Sequence, residues 1–233
     1  MKLIYSIVFL LTALFLGSCS KSDDAASGTG DAIIIVKKSG TNVVYGYSLY
    51  AYTFGEFKSV TATNALQTGK TYTLKMNQGF KTNFYYESPE AEFTTVKPVA
   101  TTFNFNAVFG NGATDEFQDE VSGVVLPVPV IEKTEYVTSK SEMTITWATV
   151  TGADSYAINI YDGANLVFGS PELVNTLKTF SVSATSGGWI TGFTPVVGKT
   201  YTVRLNAYLY EPNGDSYNLQ TVSFADKSMV WGQ

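Results

Sequence analysis

"ITWATVTGADSYAINIY", residues 145–161, is the stretch whose reading decides the fold. Ile145 and Trp147 alternate with Thr146 and Ala148. A Thr-Gly-Ala-Asp turn follows at 151–154, and then Tyr156, Ile158 and Ile160 alternate with Ala157, Asn159 and Tyr161. Successive strand side chains point to opposite faces, so each run puts one apolar row inward and one mixed row outward. Two such runs around a turn are two strands of a β-sheet with one buried face.

The same period recurs along the chain: "AIIIVKK" (32–38), "VVYGYSLYAYTF" (43–54), "KTYTLKM" (70–76), "TFNFNAVF" (102–109), "EMTITWA" (142–148) and "KTYTVRLNAYLY" (199–210). Apolar stripes of helical period are missing, and only Pro171 to Leu177 could form a helical turn or two. Short strands rich in Tyr, Phe, Val and Thr predict an all-β protein of two antiparallel β-sandwiches. The boundary falls in "VVLPVPVIEK" (124–133), because Pro127 and Pro129 cannot donate to a sheet ladder. The expected domains are 31–125 and 126–233. In the first, "TFNFNAVFGNGATDEFQDEVSG" reads as a strand, a Gly-Asn-Gly turn and a final strand. "GKTYTLKMN" (69–77) nearly repeats "GKTYTVRLN" (198–206), but their flanks do not superpose, so they read as two strands meeting similar demands.

"ITWATVTGADSYAINIY" and "GKTYTVRLNAY" together make residues 130–233 resemble a fibronectin type III or related immunoglobulin-like domain. The resemblance implies that Trp147 lies in the core and that the strands holding Tyr156 and Tyr201 are neighbours in one sheet. It also implies a tyrosine corner, in which the Tyr201 hydroxyl reaches back to an upstream backbone group. Pro195 lies further before Tyr201 than that pattern usually has it. Asp162-Gly163 and Asn213-Gly214 are hairpin turns.

The chain's chemistry is narrow. It has no histidine and one cysteine, Cys19. An imidazole base, a Ser-His-Asp relay and a zinc site of histidine or thiolate are therefore excluded, and no cofactor or metal is expected. Arg204 is the only arginine and the formal charge is −5, so the phosphate-neutralising surface that nucleic acid requires is missing. Carboxylates are the remaining catalytic option, clustered as Asp115, Glu116, Asp119 and Glu120. A row along one strand fits an acidic edge better than a glycosidase pair facing across a cleft.

Aromatic residues are better binding candidates. Trp231 is expected over the end of the sandwich. Trp189, after Gly187-Gly188, is either a sugar platform or a plug on the core edge. Alternation turns Tyr161 and Asn159 outward on one strand and Arg204, Asn206, Tyr208 and Tyr210 outward on its neighbour. Flat rings among amide and guanidinium donors suit a glycan or protein ligand, or a joint with the N-terminal domain.

The N-terminus addresses the chain. Lys2 precedes an apolar run to Leu16, a signal-peptide core over residues 1–18. Leu16-Gly17-Ser18-Cys19 resembles the lipobox of bacterial lipoproteins, which implies acylation of Cys19 and membrane attachment through that lipid. Ser20, Lys21, Ser22, Asp23 and Asp24 resemble a signal for export across the outer membrane, and residues 19–30 form the tether. The expected location is the outer membrane, on the cell surface, with the periplasmic face as alternative. The expected function is non-catalytic binding, adhesion or an accessory role, with a carboxylate-using carbohydrate-active subunit as runner-up.

Overall fold

The computed structural model describes residues 26–212 and 218–233; the signal peptide, Cys19, the export signal and the Asn213-Gly214 turn lie outside them. The N-terminal part comprises β1 (Gly28–Ser39), β2 (Asn42–Thr53), β3 (Phe57–Asn64), β4 (Thr71–Thr73), β5 (Lys75–Asn77), β6 (Phe80–Glu87), β7 (Thr101–Phe109) and β8 (Thr114–Val121). The C-terminal part comprises β9 (Ile131–Val137), β10 (Glu142–Trp147), β11 (Ser155–Asp162), β12 (Asn165–Gly169), β13 (Leu173–Val174), β14 (Thr179–Ser183), β15 (Thr200–Tyr210) and β16 (Leu219–Val230). The segment 171–177 is thus a short strand and a turn, and the one helical element among the described residues is a 3-10 turn at Glu90–Glu92. The fold is all-β.

Each half is a sandwich. In the C-terminal half, β14-β10-β9 packs against β12-β11-β15-β16, with β11 and β15 neighbours as the fibronectin resemblance implies. Trp147, Tyr156, Ile158, Tyr201, Val203 and Trp231 fill its core. The Val196 N–H donates to the Tyr201 hydroxyl at 2.9 Å, forming the tyrosine corner. In the N-terminal half, β4-β3-β7-β8 packs against β1-β2-β6-β5 around Leu49, Phe57, Tyr72, Phe103, Phe105 and Phe109.

The two sandwiches are not separate bodies. β16 pairs in parallel with β1 through Ile34–Thr221, Ile35–Val222 and Val36–Ser223, so one nine-stranded sheet runs through both halves. The linker is welded beneath it. Thr221 Oγ1 donates to the Val124 carbonyl at 2.7 Å, and Ser223 Oγ to the Pro127 carbonyl at 3.0 Å. β1 has six residues before Ile34 and β16 has two before Thr221. The C-terminal half is therefore offset along the sheet by about four residues, roughly 13 Å, away from the Gly28 end of β1.

β1 begins at Gly28, inside the span expected to be tether. It also departs from the alternation read into "AIIIVKK": Ala32 to Val36 are all buried. Ala32, Ile34 and Val36 face the N-terminal core, while Ile33 and Ile35 lie on the opposite face, outside both cores. A continuous apolar run is what a strand covered on both faces requires.

Candidate aromatic face of the shared sheet

Register extends the outward row predicted on β11 and β15 across the whole sheet. Arg204, Asn206 and Tyr208 on β15 stand opposite Asn159, Ala157 and Ser155 on β11, and opposite Asp226, Phe224 and Val222 on β16. Val222 continues to Ile35 of β1. On β2, Tyr50 and Tyr52 stand opposite Asp31 and Thr29, and β6 adds Asn83, Tyr85 and Glu87. One face therefore carries tyrosines from four strands, β2, β6, β11 and β15.

The N-terminal rings form a ladder. Tyr50 stacks on Tyr52 with centroids 6.1 Å apart and on Tyr85 at 6.5 Å, all within 24° of parallel. At the C-terminal end the Arg204 guanidinium carbon lies over the Phe224 ring, 3.9 Å from its centroid, and 5.1 Å from that of Tyr161. Asp226 accepts from two of the five guanidinium N–H groups, at 2.7 and 2.9 Å. Arg204 is thus held in place by a two-point pair with Asp226, and part of its charge is neutralised there. Burial pushes the Tyr208 hydroxyl up to about 12, with Tyr210, Glu172 and Tyr161 adding to the shift. It remains a neutral hydrogen-bonding group at any physiological pH. The Tyr210 hydroxyl donates to Glu172 at 2.6 Å.

Two of the predicted site residues are corrected. Asn206 is only 6% exposed, and its Nδ2 points back to the Ala157 carbonyl at 3.5 Å. Trp189 is a plug and not a platform. Its indole N–H donates to the Ser183 carbonyl at 2.9 Å, and its ring packs on Phe193, Phe168 and Trp231. Tyr161, Arg204, Tyr208 and Tyr210 stay half-buried on the face. Neither sandwich core packs over them; the N-terminal half continues the sheet beside them. Tyr50, Tyr52 and Tyr85 were missing from the sequence reading. The unbroken run at 32–36 was the available signal, since it requires an outward face worth covering.

The acidic cluster has a structural task. Between Gly28 and Ile33, before β16 arrives, one edge of β1 lacks a strand partner. Asp115 Oδ2 accepts from the Gly28 N–H at 2.9 Å and Asp119 Oδ2 from the Ala32 N–H at 2.7 Å, so two β8 carboxylates cap that edge. Phe117 and Phe105 stack between them, so close to the backbone that a Cβ on Gly28 or Gly30 would collide with their rings. Glu116 and Glu120 face outward. Asp31 at this junction has its carboxyl raised to about 7, chiefly by burial, with Asp119 and Glu211 adding negative charge nearby.

No family model and no curated protein sequence matches the chain. Among solved structures it resembles a two-domain fibronectin type III segment of chicken tenascin, at 12% identity and TM-score 0.33 over 87% of this chain and 99% of that one. It also resembles dimeric latent PorU from Porphyromonas gingivalis, at 12% identity and TM-score 0.32 over 92% and 21%. Fibronectin(III)-like modules of Clostridium thermocellum CbhA match at 11% identity and TM-score 0.29 over 87% and 91%. Likenesses this distant carry no weight about function, and the fold assignment stands on strand order and the tyrosine corner.

Proposed function

We propose that this is a lipid-anchored, non-catalytic protein of the bacterial outer membrane that holds a glycan on the half-exposed aromatic face of its shared sheet. The observation that supports the reading is the near-parallel Tyr50-Tyr52-Tyr85 ladder on the same face as Tyr161 and Tyr208. A sugar ring has one apolar face edged by hydroxyls. Half-exposed tyrosine rings offer a matching flat surface, and Asn83, Asn159 and the tyrosine hydroxyls offer partners at its edge. The capping role of Asp115 and Asp119 argues against the carboxylate-using enzyme, because one oxygen of each carboxylate already accepts a β1 backbone amide. Lipidation of Cys19 and surface display rest on the lipobox and the Ser20–Asp24 cluster.

Residues 26–233, probed on a glycan array, test the binding reading. Tyr50→Ala combined with Tyr85→Ala should weaken any retained glycan at least tenfold without unfolding the protein. Retention unchanged by that pair, or a face that captures only protein, rejects the glycan reading.

A further inference from the structure

Phe54, at the turn between β2 and β3, is 108% exposed, the most exposed large apolar residue among those described. Nothing in the fold uses it. Its position gives it meaning. Thr53 Oγ1 donates to the Ser27 carbonyl at 2.7 Å, and Ala26, Ser27, Thr53 and Phe54 together line an open groove of about 800 Å³. The tether therefore leaves the protein beside this ring. A second aromatic joins it. Tyr52 stands opposite Asn83 where the antiparallel β2–β6 ladder ends, so Phe80 and Lys81, at the start of β6, belong to the same end of the sandwich as Phe54. Lys81 pairs with Glu56 of the same turn at 3.0 Å, and Phe80 is 63% exposed.

Chain length settles what lies opposite. Seven peptide steps separate Cys19 from Ala26. At full extension they span about 25 Å, at 3.3–3.6 Å per residue. Strands of 12 residues, by contrast, put the β1–β2 turn at Gly40 and Thr41 about 40 Å from this end. With Cys19 in the bilayer, the end bearing Phe54 and Phe80 is the one held against it. Exposed aromatic side chains are suited to the headgroup region, where a ring can leave water.

We propose that this end of the N-terminal sandwich is a second membrane-contact surface, in which Phe54 and Phe80 enter the lipid headgroup layer and stand the molecule upright. It rests on the reading of Cys19 as acylated. The offset of the C-terminal half away from this end then carries Arg204, Tyr161 and Tyr208 outward from the membrane.

The test uses the full lipidated chain in phosphatidylcholine vesicles. Because Cys19 is the only cysteine, Phe54→Cys creates a single reactive thiol once that residue is acylated. An environment-sensitive dye at 54 should be quenched at least twofold by headgroup-proximal spin-labelled lipid, and Thr41→Cys, labelled the same way, should not be quenched. A Phe80→Ser change in the Phe54→Cys chain should reduce the quenching. Equal quenching at both positions, or none at 54 while the chain floats with vesicles, overturns the contact and leaves the anchor standing. An unaltered chain that fails to float and reacts with maleimide at Cys19 overturns the anchor, and the contact with it.

Discussion

Residues 69–77 and 198–206 differ only at Leu74/Val203, Lys75/Arg204 and Met76/Leu205, and they start alike. Gly69 and Gly198 both take left-handed backbone, at φ 82° and 80°. The Lys70 and Lys199 amides donate to carbonyls three residues back, Gln67 and Val196, at 3.0 and 3.1 Å. Each lysine then lies over the tyrosine two residues on. Each tyrosine hydroxyl reaches back five residues, Tyr72 to the Gln67 side chain and Tyr201 to the Val196 amide. Beyond that the copies part. The first breaks at Leu74, whose N–H donates to the Val60 carbonyl at 3.0 Å, and crosses from one sheet to the other. The second runs on to Tyr210 as a central strand between β11 and β16. The local sequence makes the corner, and the neighbours decide how far the strand continues. Gln78-Gly79, both at positive φ, stop the first copy, while Ala207-Tyr208-Leu209-Tyr210 prolong the second.

The heaviest blow to this pairing is truncation of the rings. Tyr72→Ala and Tyr201→Ala each empty a fully buried site, and each should cost about 4 kcal/mol. Because the sandwiches share a sheet, a calorimetric scan of either variant should still show one transition, moved down. Two separated transitions would mean that the β1–β16 pairing does not couple the halves.

A smaller effect separates the halves by pH. The Asp31 carboxyl titrates at about 7 when folded against an ordinary value of 3.8. Asp119 and Glu211 oppose its ionisation by charge, and Tyr50 and Tyr52 are its other near titratable neighbours. A raised carboxyl binds its proton more tightly in the folded state. Folding therefore takes up a proton between about pH 4 and 7, and stability falls as pH rises through that window. Asp31→Asn should raise stability at pH 8 by on the order of 2 kcal/mol and flatten the slope in denaturant melts. An unchanged slope would mean that Asp31 ionises freely.

The finest comparison removes only the hydroxyls. Tyr201→Phe strands the Val196 amide, which cannot turn away, and should cost about 1–2 kcal/mol. Tyr72→Phe frees a glutamine side chain that can rotate to water, and should cost less than about 1 kcal/mol. Equal costs would show that the two corners are energetically alike despite their different acceptors and donors.

The all-β class and the outward places of Tyr161, Arg204, Tyr208 and Tyr210 were legible from strand period, whereas the corner at Tyr201, the core position of Trp147 and the pairing of β11 with β15 were legible only through the fibronectin resemblance. The weld between β1 and β16 was not. Parallel pairing of strands from opposite ends of the chain leaves no local trace except two-sided burial, and the Ile33-Ile34-Ile35 run carried that trace. Likewise, the row Asp115, Phe117, Asp119 was legible as sharing one face. Its purpose required knowing that one edge of β1 lacks a strand partner before Ile34.

The position of β1 also decides how the molecule bears mechanical load. A pull applied to the N-terminal end of β1 enters at Gly28, directly along the axis of a strand held by β2 on one side and, from Ile34, by β16 on the other. Ladder hydrogen bonds lie across that axis, so the pull shears many at once instead of peeling them one by one. The force passes sideways from β1 into β16 and β15, the strands that carry Phe224, Arg204 and Tyr208, and so bypasses the proline-containing linker.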